Sequence, residues 1–139
     1  MNNNTSSVLL TILICTANRE SIVVDTIKSI RSLCFDIPIV VVDNNLNGLS
    51  QILKEKMSCF PNLVVVTEPN PGLSIARNTG VININSEWIL FVDDDIKLAS
   101  NFFEKLEQIL DEERYDCFGG MYYPWYPQGK PAWLPAGFG

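Results

Sequence analysis

Apolar residues in this chain fall into two kinds of run, and the two kinds alternate. The short ones are rich in β-branched residues: VLLTILIC (8–15), IPIVVVD (37–43), NLVVVTE (62–68) and EWILFVD (87–93). A nearly continuous apolar run of this length is what a strand covered on both faces requires. In the longer stretches apolar residues recur every three or four positions. Residues 21–34 place Val23, Ile27, Ile30 and Cys34 on one side, and 49–60 do the same with Leu49, Ile52, Leu53 and Met57. Residues 100–114 turn Phe103, Leu106 and Ile109/Leu110 inward. This spacing predicts amphipathic helices. LSIARNTGVINI (73–84) predicts a shorter helix weakened by Gly80, and YDCFGGMYY (115–123) predicts a fifth strand.

Strands alternating with helices predict an α/β sandwich around a mostly parallel central sheet. The polar segments TANRE, DNNLNG, EPNPG and DDDI each follow a strand, so they should gather at the carboxyl edge of the sheet. Ligands bind there in open α/β folds, close to a reversal of strand order. The last sixteen residues, PWYPQGKPAWLPAGFG, hold four prolines, three glycines and two tryptophans with neither period. The expected organisation is therefore an α/β domain over 1–123 and a Pro/Gly/Trp-rich loop over 124–139.

Charge and composition narrow the chemistry. The 139 residues include 16 acidic and 10 basic side chains, a net charge of −6, with no Lys/Arg-rich block. A nucleic-acid backbone is therefore not expected as a partner. An anionic ligand would need local help from a cation or from placed arginines. The chain has no histidine, which removes the usual zinc sites and any Ser-His or Cys-His catalytic pair. The four cysteines are widely spaced without a CxxC pair and read as buried, reduced thiols. The N-terminus has no basic n-region, and its apolar stretch is too short to span a bilayer, so a cytoplasmic, soluble chain is expected.

The candidate chemistry centres on Asp93, Asp94 and Asp95. If strand geometry continued to Asp95, Asp93 and Asp95 would point to one side and Asp94 to the other. Two carboxylates on one side repel unless a cation lies between them, and Mg²⁺ or Mn²⁺ takes oxygen ligands of this kind together with phosphate oxygens. A solvated acidic loop is the plainer alternative. Both GxGxxG and GxxxxGK[ST] are absent, so a nucleotide would be held by cation and side chains. Arg77, just after the PNPG turn, is a candidate counter-charge or a surface helix residue. Asp43 ends its strand as Asp93 does and could accept from a base or ribose, or cap the following turn.

TILICTANRE, PIVVVDNNLNG, NPGLSIARNTGV and WILFVDDDI stand in the order and spacing of the family 2 glycosyltransferases of the GT-A fold. The resemblance covers about residues 8–110, nearly the whole nucleotide-sugar-binding half. It implies a GT-A, Rossmann-like sandwich, truncated here after about the fifth strand. By the same resemblance Thr16, Ala17, Asn18 and Glu20 line the base pocket, Asp43 contacts the base, and Arg77 lies near base and phosphates. It places metal, diphosphate and ribose on Asp93, Asp94 and Asp95. Asp95 is then the direct metal ligand, joined by Asp93, with Asp93 or Asp94 on the ribose. An empty site of this kind would be electrostatically strained.

The implied reaction moves a sugar from a nucleoside diphosphate donor, first a UDP-sugar, to an acceptor hydroxyl with inversion, dependent on Mn²⁺ or Mg²⁺. The acceptor would be a sugar, a polysaccharide or a lipid-linked species. Family members often work at the inner membrane face, which adds peripheral membrane association as an alternative. No Asp or Glu follows Asp116, so no general base is nominated. Two other functions fit the same residues: a donor-binding fragment without transfer, and a sugar-phosphate nucleotidyltransferase. The absence of glycine from CTANRE argues against the latter.

Overall fold

A computed structural model describes residues 8–112, 114–126 and 128–135. The side chain of Ile52, expected on the inner side of its helix, lies outside the described part, as do Glu113 of the expected last helix and residues 127 and 136–139 of the tail. The chain divides into two compact units, Met1–Glu104 and Lys105–Gly139.

The first unit is built on four strands, β1 (Val8–Thr16), β2 (Ile39–Asp43), β3 (Leu63–Thr67) and β4 (Ser86–Asp93). They form one parallel sheet in the order β3-β2-β1-β4. From β1 the chain steps outward through β2 to β3, then returns to the far side of β1 as β4. The reversal of strand order therefore falls between β1 and β4. Register aligns the carboxyl ends, pairing Thr16 with Asp43, Asp43 with Thr67, and Cys15 with Asp93.

Alternation along each strand sends side chains to two faces. On one face Ile12, Ile14, Ile39, Val41 and Val92 form a core with Val23, Ile27 and Ile30 of α1 (Glu20–Leu33) and Leu53 and Met57 of α2 (Gln51–Ser58). On the other, Leu13, Val40 and Val42 pack with Ala76 of α3 (Leu73–Ile82). Both faces of β1 are thereby covered, which is why its sequence is apolar almost throughout. Ser50 caps α2 by accepting from the Leu53 N–H at 3.3 Å, satisfying one of the donors a helix start leaves unpaired.

Two polar or small residues fix how the helices sit. Arg31, in the last turn of α1, is buried and donates to the carbonyls of Ile37 and Pro61, both at 2.6 Å. It ties the helix to the segments leading into β2 and β3. Burial pulls its pKa down, with Cys34 and Asp36 opposing. Gly80 of α3 lies directly on Leu13. A Cβ at Gly80 would come within 2.7 Å of Leu13 Cδ2 and closer still to Cδ1. The glycine that looked like a weakness of the helix is what permits its close approach to β1.

A further helix, α4 (Phe102–Asp111), crosses the boundary between the units, and in its first turn Phe103 packs on the core shared with α1 and α2. The second unit departs from expectation. Among the described residues of 115–123 there is no strand. The Gly119-Gly120 pair has no side chains to pack, Met121, Tyr122 and Tyr123 are exposed, and no neighbouring strand takes up their backbone groups. Among the described residues no helix is long and apolar enough to cross a membrane.

Candidate functional site at the carboxyl edge of the sheet

The triple aspartate lies at the reversal of strand order. β4 ends at Asp93, and Asp94 and Asp95 form a turn. Strand geometry therefore stops at Asp93, where the sequence places the strand's end, and the condition that would put Asp93 and Asp95 on one side is not met. Three adjacent carboxylates favour leaving the sheet over sharing its pleat.

Each aspartate has its own environment. Asp94 is buried, with 8% of its side chain exposed. It accepts from Thr16 Oγ1 at 2.8 Å and from Arg19 Nη1 at 3.1 Å, while its carbonyl accepts from Thr26 Oγ1 at 2.6 Å. Asp95 is 52% exposed and accepts from the same Arg19 nitrogen at 2.8 Å. Asp93 is 56% exposed and pairs with Arg77 Nη2 at 3.3 Å. Arg77 also stands over the Phe91 ring, 5.8 Å from its centre, a cation–π arrangement.

Two arginines offset part of the charge expected to strain this site, and one of the three carboxylate charges is left over. The Arg19 guanidinium is raised above its ordinary pKa, first by its hydrogen bond to Asp94 and then by the charges of Asp94 and Asp95. The Cys15 thiol, on β1 opposite Asp93, is pushed up by burial, with Arg77 opposing and the aspartates reinforcing. All four cysteines are free, but the expectation of burial fails. Cys15 and Cys34 are partly covered, and Cys59 and Cys117 are exposed.

A second cluster organises the loops beside β2. Asp43 is fully buried. One of its oxygens accepts from the Asn45 N–H at 3.0 Å and from Asn45 Nδ2 at 2.6 Å, and the other accepts from the Leu49 N–H. Both oxygens serve the turn over 44–49. Asn45 Oδ1 in turn accepts from the N–H of Asn18, which holds a left-handed φ of 57° that asparagine tolerates better than most residues. The loops after β1 and β2 are joined through this contact. Ala17 and Asn18 are exposed on the first loop, and Glu20 opens α1.

The loop after β3 is tied in as well. Asn44 donates through Nδ2 to the carbonyls of Glu68 and Asn70, and its Oδ1 accepts from the Gly72 N–H. Glu68 accepts from Thr79 Oγ1 of α3 at 2.6 Å and from the N–H and Nδ2 of Asn70. These bonds, led by Thr79, hold its carboxyl below its usual range.

Thr16 is therefore bonded to Asp94, Arg19 joins Asp94 to Asp95, Asn45 joins Asn18 to Asp43, and Arg77 pairs with Asp93. Arg19, Thr26, Asn44, Asn45 and Glu68 were not anticipated. Arg19 had a signal: an arginine in a loop after a strand, in an acidic chain that needs placed arginines opposite three aspartates. The roles of Asn45 and Glu68 depend on side-chain contacts between loops that no local pattern reveals.

Among the described residues no three His, Cys, Asp or Glu side chains form a metal-holding group. Asp93 and Asp95 are two exposed carboxylates, each with one arginine contact. This donor set suits a hard cation that takes one or two carboxylates and completes its shell with phosphate oxygens and water.

The parallel order β3-β2-β1-β4 is that of a Rossmann-like sheet, and the likeness to solved structures assigns it the GT-A fold. S. aureus TarS residues 1–349 in complex with UDP-GlcNAc superimposes with a TM-score of 0.60 at 24% identity, over 75% of this chain and 31% of that one. A second crystal structure of TarS 1–349 gives a TM-score of 0.62 at 23% identity, over 75% of this chain and 32% of that one. The sequence profile of glycosyl transferase family 2 matches residues 11–137, and the chain belongs to that family. Curated relatives include the glycosyltransferase GlyA of Streptococcus pneumoniae serotype 4, 31% identical over 104 residues, and the uncharacterized glycosyltransferase EpsJ of Bacillus subtilis, 29% identical over 117. These matches cover 75% and 83% of this chain but only 14% and 34% of the relatives' own lengths.

Proposed function

We propose that residues 1–123 bind a nucleoside diphosphate sugar, first a UDP-sugar, and present it for inverting transfer to an acceptor hydroxyl. Residues 124–139 open the acceptor side. The observation that carries this reading is the position of two exposed, arginine-paired aspartates at the strand-order reversal of a family 2 glycosyltransferase sheet. The UDP-GlcNAc bound by TarS supports a uridine donor.

In this reading Asp95, with Asp93 beside it, holds Mn²⁺ or Mg²⁺. When bound, the cation offsets negative charge on the donor's diphosphate. Asp93, the more exposed of the two candidates for the ribose, takes that role, because Asp94 is committed to Thr16 and Arg19. Ala17, Asn18 and Glu20 line the base side. Thr16 holds Asp94, and Asp43 fixes the turn that closes this side. Arg77 stabilises the leaving diphosphate, which gains charge as the glycosidic bond breaks. The acceptor is a sugar, a polysaccharide or a lipid-linked molecule, reached in the last case by peripheral association with a membrane from the cytoplasmic side.

The test is release of UDP from UDP-GlcNAc, with Mn²⁺ and a panel of sugar and lipid-linked acceptors. Acceptor-stimulated release that falls at least tenfold in Arg77→Ala supports transfer. A second reading, donor binding without transfer by these residues, is favoured by the small share of the relatives' lengths that the chain spans, 14% of GlyA and 34% of EpsJ. Binding without release under every acceptor would establish that reading for these 139 residues.

A further inference from the structure

We propose that Arg19 is a resident counter-ion that the divalent cation displaces from Asp95, and that the released guanidinium then engages the donor's diphosphate. The proposal rests on the donor-site reading above. A single nitrogen, Nη1, makes both of Arg19's carboxylate contacts, at 3.1 Å to Asp94 and 2.8 Å to Asp95. It thus holds the one exposed carboxylate of the turn that a cation would need. Half of the Arg19 side chain and half of Asp95 are exposed, so exchanging one positive partner for another requires little burial or unburial. Exposed ion pairs of this kind are weak.

The turn itself does not depend on Arg19. Thr16 holds the Asp94 carboxylate from β1, and Thr26 holds the Asp94 carbonyl from α1. Arg19's own loop is anchored independently, through the Asn18 N–H on Asn45. The guanidinium is therefore free to change partners while both loops stay in place. Its forked donors match phosphate oxygens as well as carboxylates. Without a cation Arg19 offsets part of the charge of Asp94 and Asp95; with one bound, its charge becomes available to the diphosphate. Cation and nucleotide should then strengthen each other's binding, and by linkage each by the same factor.

The experiment titrates Mn²⁺ by its electron paramagnetic resonance signal, with and without UDP, after subtracting the Mn²⁺–UDP complex formed in buffer alone. The proteins compared are wild type, Arg19→Met and Arg19→Lys. In Arg19→Met, Mn²⁺ alone should bind about three- to fivefold tighter, the strength of an exposed ion pair removed as a competitor. UDP should then enhance Mn²⁺ binding by a clearly smaller factor than in wild type. Arg19→Lys, which keeps the charge, should restore most of that enhancement. Mn²⁺ affinity unchanged or weaker in Arg19→Met would overturn the exchange, as would an undiminished enhancement by UDP. Wild-type protein that bound no UDP in the presence of Mn²⁺ would instead overturn the donor-site reading on which the proposal stands.

Discussion

Asp94 shows how three identical side chains come to differ. Its neighbours on either side are more than half exposed, while Asp94 is buried against Thr16, Arg19 and, through its carbonyl, Thr26. Removing the Thr16 hydroxyl as Thr16→Val keeps the shape and takes one donor from a buried carboxylate. A hydrogen bond to a charged group is worth about 1.5–3 kcal/mol, and urea unfolding of this variant should show a loss of that size. Glu68 makes a different prediction. Thr79 and Asn70 hold its pKa below the usual value, so its contribution to stability is present above the unfolded-state pKa, about 4.3, and is lost as pH falls through the lower folded-state value. Melting temperatures of wild type and Glu68→Gln should therefore differ most near neutral pH and converge in acid. A gap that widened on acidification would contradict the assigned contacts.

At the scale of elements, what was legible in the sequence followed from burial. β1 and β2 are covered on both faces by α1, α2 and α3, so their positions are nearly all apolar and their runs stand out. The strands β3 and β4 were found the same way, within one residue at each end. The expected fifth strand over 115–123 does not form, because aromatic and apolar residues alone do not make a strand when the Gly119-Gly120 pair has nothing to pack and no neighbouring strand pairs with it among the described residues. Gly80 weakens its helix as propensity predicts, but propensity is local, and its reason for being glycine is Leu13, 67 positions earlier in the chain. Gly80→Ala should gain about 1 kcal/mol in propensity but lose more to the clash, for a net destabilisation of about 1–2 kcal/mol in urea. Leu13→Val in the same background should recover part of the loss.

For the whole molecule, the parallel sheet gathers four strand ends at one edge, and the net charge of −6 makes that edge dependent on a few positive groups. Arg19 and Arg77 supply them, one on each side of the aspartates' turn. The gathering of the polar segments at one edge was legible from their places after each strand, because parallel topology brings them together regardless of detail. The loop-to-loop bonds of Asn44, Asn45 and Glu68 were not, since they depend on how those segments meet in space. The proposed binding of a nucleoside diphosphate at this edge, through a cation held at Asp95, is tested by calorimetric titration of UDP, GDP and dTDP, each with and without Mn²⁺, on wild type and on Asp95→Ala. One nucleotide, UDP first, should bind only with Mn²⁺ and lose at least tenfold in affinity in Asp95→Ala. Nucleotide binding indifferent to Mn²⁺ and to Asp95, or no binding at all, would contradict it.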